Sequence, residues 1–95
     1  MSVYVDALFP CSRNAHWRYD SACHLFGDTD EEVLEFGRII GLKASWFQRK
    51  QGRLNHFDLN ETKRAEAIEA GAIQCSQEFI AKRIKEARNA FRTTV

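Results

Sequence analysis

The sequence predicts a small single-domain α/β fold, in which a mixed or largely parallel sheet is covered by about three helices. Three observations carry this expectation. The chain has 95 residues, which is room for one core and little more. Short β-branched and aromatic stretches with period-two alternation interleave with segments of helical period. Two of those helical segments begin at side chains suited to capping, Thr29 and Asn60.

Taken in order, "SVYVD" reads as a strand with Val3 and Val5 on one face and Tyr4 and Asp6 on the other. From Ala7 to Asp20 no periodicity survives, and Pro10, Asn14, Trp17 and Tyr19 fall in an expected long loop. "SACHLF" is a second strand, turning Cys23 and Leu25 one way and Ala22, His24 and Phe26 the other. Thr29 with Glu32 three residues on forms a capping box, and Val33, Phe36, Gly37 and Ile40 then keep helical spacing up to a stop at Gly41. "LKASWFQ" reads as a third strand or a short helical turn, with strand slightly favoured, and "RKQGR" as a turn around Gly52. "HFDL" places Phe57 and Leu59 on one face and His56 and Asp58 on the other. A helix follows from about Glu61 to Ala70, with Ala65, Ile68 and Ala72 inward, and then "AIQC" gives a brief buried strand. Ser76 caps a last helix over about residues 76–92, whose stripe is Ile80, Ile84, Ala87 and Phe91.

Composition excludes several classes. Net charge is +1, so the whole chain makes no electrostatic case for nucleic acid or an anionic membrane. Three cysteines without C-x-x-C spacing fit neither a zinc ribbon nor a complete disulfide framework, and a reducing cytoplasmic setting is the expectation. No stretch reaches the length of a membrane span.

The polar residues point to a pocket. Asp6 ends a strand, where ligands of α/β sheets gather. His24 interrupts an apolar strand. His56 and Asp58 project to one side roughly 6.5–7 Å apart, a spacing that suits one metal ion or one water. These four are the candidate catalytic residues and the candidate ligands of a divalent metal. Trp46 and Gln48 are candidate ligand-binding residues through stacking and amide hydrogen bonding. Lys63 and Arg64 stand in the first turn of a helix, where the dipole disfavours cations, and so read as an anion seat.

Four segments, "VYVD", "HLFGDTDEEVLEF", "IGLKASWFQ" and "HFDLNETKRAEAIEAGAI", together resemble the bacterial and phage family catalogued as domain of unknown function 4031. The resemblance spans most of residues 2 to 73 and leaves the last helix outside its best-matched part. It implies that Asp6, His24, Asp28, Trp46, Gln48, His56, Asp58, Lys63 and Arg64 occupy motif positions, and it implies no particular reaction. Ala7 and Phe57 depart from an acid and a tyrosine common in the family.

The functional expectation is a pocket that binds an anionic, phosphate- or nucleotide-like small molecule, with metal-assisted hydrolysis as one outcome. Whether the chain is an enzyme stays open. The alternative is a non-enzymatic module, either a phage-type sequestering inhibitor or a binder of nucleic acid or an acidic partner through Lys82, Lys85, Arg88 and Arg92 of the last helix.

Overall fold

The computed structural model describes residues 2–94, without the side chains of the last two of them. Nine elements follow one another: β1 (Val3–Val5), β2 (Phe9–Pro10), β3 (Ser21–Gly27), α1 (Asp30–Ile39), a 3₁₀ turn (Ala44–Trp46), β4 (Phe57–Leu59), α2 (Glu61–Glu69), β5 (Ile73–Gln74) and α3 (Gln77–Thr94). The five strands form one mixed sheet covered by helices, so the fold class is α/β as the sequence predicts.

β3 is its axis. One edge of β3 pairs antiparallel with β4, setting His24 opposite Asp58. The other edge pairs antiparallel with β1 and then β2. Between Val5↔Leu25 and Phe9↔Ala22 the chain advances four residues on one strand and three on the other. This is a β-bulge, with one extra residue on the first strand. β5 lies outside β1 and is its parallel neighbour.

Period-two alternation divides the sheet into two unlike faces. Val5, Cys23, Leu25, Phe57 and Leu59 are fully buried on one side, beneath Val33 and Ile40 of α1 and its end and Ala67 of α2. α1 approaches so closely at Gly37 that a Cβ there would stand 2.8 Å from the Phe57 ring. Thr29 caps α1 by accepting from the Glu32 N–H at 3.2 Å, and Gly41 ends it with φ +84°.

Tyr4, Asp6, His24, Phe26 and Asp58 share the other side. α3 covers one half of it: Phe79 packs 4.8 Å from the Tyr4 ring, and Arg83 donates to the Gly27 carbonyl at 2.6 Å while lying over Phe26. The other half is left to polar residues.

Several sequence expectations are corrected. Of the two readings of "LKASWFQ" the favoured strand gives way to the helical turn: Ala44–Trp46 is a 3₁₀ turn, and only Gln48 bridges the sheet, exchanging backbone hydrogen bonds with His56. The expected loop from Ala7 to Asp20 contains β2 and continues as a closed hairpin arm, tied by the Cys11 N–H to the Asp20 carbonyl at 2.9 Å and by Arg13 to Asp20 at 2.7 Å. The inward residue of α2 is Ala67, whereas Ala65 is exposed. β5 is exposed rather than buried, because it forms the sheet edge. The α3 stripe is covered at Ile80 but open at Ile84 and Phe91, since α3 extends past the sheet it packs on. All three cysteines are free thiols.

Candidate metal centre and its cleft

The sheet brings His24, His56 and Asp58 together. One ligand atom from each lies within 4.8 Å of the other two. The strands explain the convergence. β3 and β4 are in register at His24 and Asp58, and the Gln48–His56 bridge continues β4 by one residue, so His56, two residues before Asp58, falls on the same face. The two imidazoles meet edge to face with centroids 4.9 Å apart.

Each histidine is engaged at Nδ1, which leaves Nε2 for a further partner, and that of His56 meets Asp58. His24 Nδ1 lies 2.8 Å from Asp6 Oδ2, and the His24 backbone N–H donates to Asp6 Oδ1 at 2.6 Å. His56 Nδ1 donates to the Leu54 carbonyl at 2.8 Å. A carboxylate or carbonyl behind a histidine fixes its tautomer and raises its basicity toward a metal. Phe9, brought to this face by the bulge, stacks on the His24 ring at 5.2 Å.

Asp6 is 2% exposed and reaches the group only through His24, so it orients a ligand where the sequence suggested a ligand or base. The Asp6 backbone carbonyl accepts from Arg64 Nε at 2.8 Å, which ties α2 to the same point.

Asp58 connects the centre to the surface. Its Oδ1 lies 3.3 Å from His56 Nε2, and its Oδ2 accepts from Gln48 Nε2 at 2.5 Å. Burial works against a charged His56, but the hydrogen bonds to Asp58 and Leu54 and the nearby negative charges outweigh it, so His56 titrates above the ordinary histidine value. The His56 hydrogen bond holds the Asp58 carboxyl below its usual value, against the opposing effect of burial and with help from Gln48.

Asp58 and Gln48 also form the inner end of a cleft of about 960 Å³. One wall is the hairpin arm with His16, Trp17, Arg18 and Tyr19, and the other carries Trp46. The arm is braced: Trp17 Nε1 donates to the Ser21 carbonyl at 3.2 Å, and Arg13 pairs with Asp20 at 2.7 Å. No periodicity marks this arm, so reasoning from the sequence missed its part in the cleft. The cluster of aromatics and arginines between Pro10 and Asp20 was the available signal.

Lys63 and Arg64, expected as an anion seat, both make contacts within the fold, and Lys63 also lines the cleft. Lys63 Nζ donates to the Ile40 carbonyl at 2.6 Å and pairs with Glu66 at 3.0 Å, which fastens the end of α1 to α2. Arg64 holds Asp6 and reaches Gln74 at 3.4 Å. The Lys63 N–H at the α2 start is satisfied by Asn60 Oδ1 at 2.8 Å. Asp28, another motif position, lies at the far end of the face with Tyr4 and Arg83. No helix among the described residues is long and apolar enough to cross a membrane.

The model of a family described as "Protein of unknown function (DUF4031)" matches residues 3–87, which includes the first half of α3. No curated protein and no solved structure matches the chain.

Proposed function

The chain belongs to the DUF4031 family, and we propose that it binds a divalent transition-metal ion at His24, His56 and Asp58 and acts there on an anionic small molecule admitted through the cleft. The observation that supports this best is the pair of oriented imidazoles: both Nδ1 atoms are spent on Asp6 and Leu54, beside a carboxylate within ligand distance of both rings. Two imidazoles and one carboxylate form a donor set suited to Zn²⁺ in a three-ligand site with an open position. A bound ion of this kind supplies a Lewis acid and an acidified water, the chemistry of metal-assisted hydrolysis.

The surrounding residues prepare that set. Asp6 and the Leu54 carbonyl hold the imidazoles in one tautomer. Gln48 steadies Asp58 through Oδ2 and leaves Oδ1 toward His56. Arg64 anchors the backbone from which Asp6 projects. Arg18 and Lys63, which line the cleft, suit it to an anion.

The test is zinc titration by calorimetry, together with elemental analysis of protein purified without chelator. Wild type should take up one equivalent. The His24→Ala/His56→Ala double variant should take up none while keeping its circular dichroism spectrum. A wild type that binds no divalent ion, or a double variant that binds as well, would sink the reading.

A further inference from the structure

We infer that the cleft beside the metal centre is a nucleotide site, in which Trp46 stacks on the base and the phosphate lies toward Asp58 and its metal. The inference rests on the metal reading for the anchor of the phosphate, but not for recognition of the ring.

Three features of the cleft favour this ligand. Its volume of about 960 Å³ falls within the range of small-molecule sites. Trp46 lines it while 52% exposed, on a 3₁₀ turn whose backbone gives no reason to present an indole to water. Lys43 Nζ lies over that ring, 5.6 Å from its centroid, so the site offers an aromatic surface with a cation at hand. Arg18 forms no ion pair among the described residues, and it lines the opposite wall with His16.

A nucleoside monophosphate meets all of these at once. Its base is a flat ring that any indole can stack on, and its phosphate matches Arg18 and a metal ion. A bare phosphate would make no use of the exposed Trp46 ring. An apolar ring would leave Arg18 and Asp58 unmatched. The walls are also preorganised, since the arm is braced by Trp17 on Ser21 and by the Arg13–Asp20 pair, and little ordering opposes binding.

The experiment is calorimetry on the zinc-loaded full chain with adenosine monophosphate, adenosine and inorganic phosphate, using wild type, Trp46→Ala and Arg18→Gln. Adenosine monophosphate should bind wild type more tightly than either fragment. Trp46→Ala should weaken it by about tenfold or more and leave phosphate unchanged. Arg18→Gln should weaken adenosine monophosphate and phosphate but spare adenosine. The nucleotide site is overturned if Trp46→Ala binds adenosine monophosphate like wild type, or if phosphate alone binds wild type as tightly. Zinc titration without nucleotide reads the metal centre separately. Uptake of zinc with no Trp46-dependent binding sinks only this inference. Trp46-dependent binding of the nucleotide without any zinc uptake supports it and sinks only the metal reading.

Discussion

The two faces of the sheet are made by the same strands and obey opposite rules. On one, Leu25 and Cys23 of β3 and Phe57 and Leu59 of β4 are sealed under α1 and α2. On the other, the residues between them, His24 and Asp58, stand side by side, and Asp58 lines a cleft. The sealed face holds the thiol of Cys23 in its neutral form, with burial pushing its pKa up to about 12. The open face keeps an imidazole and a carboxylate inclined to charge. Adjacent residues thus serve stability and chemistry separately, and the rigidity of the sealed face is inherited by the groups on the open one.

The strongest way to break this division is to disturb the sealed side. Phe57→Ala should cost about 3–5 kcal/mol, measured by urea unfolding, because it empties a fully buried site against Gly37. His56→Ala, one residue away, should cost far less stability. Near-equal losses would show that the faces are not independent.

A smaller effect sharpens the open side. Asp6→Asn removes the acceptor that fixes the His24 tautomer, and zinc affinity should fall about 10–100-fold with the fold retained. Unchanged affinity would remove Asp6 from the centre.

The smallest effect concerns pH in chelator-treated protein. Asp58 is lowered from its ordinary 3.8, so its contribution is present above that value and lost as pH falls through the folded pKa. His56 is raised from 6.5, so its contribution is present below that value and lost as pH rises through the folded pKa. The pair should therefore stabilise most between about pH 4 and 6.5. The stability gap between wild type and Asp58→Asn should be wider at about pH 5.5 than at about pH 8. A gap that does not change with pH would mean the two side chains do not act as an ion pair.

Local rules made much of this legible. Alternation in "SACHLF" and "HFDL" sorts the two faces residue by residue, and Thr29 and Asn60 cap helices where their side chains suggest. What escaped depends on contacts between distant segments. The dipole argument at Lys63 and Arg64 is sound locally, but it could not see the Ile40 and Asp6 carbonyls that claim those side chains. The rotation of α2 that buries Ala67 is likewise set by the sheet beneath it, in a helix too weakly amphipathic to declare its inner side. The hairpin arm has no period to detect, because its shape comes from the Arg13–Asp20 ion pair and from the Trp17 indole on the Ser21 carbonyl.

The bulge between Asp6 and Phe9 acts as a phase shift in the chain. In an unbroken strand, residues an odd number apart point to opposite sides, so Asp6 and Phe9 could not both attend to His24. With one residue inserted they do, one gripping the edge of the ring and the other resting on its plane. Deleting Ala7 would therefore do more than shorten a connection. It would put everything after it out of phase, sending Phe9 through the sheet and carrying the arm to the wrong wall. The length of this short segment, more than its chemistry, sets which side of the molecule has a cleft.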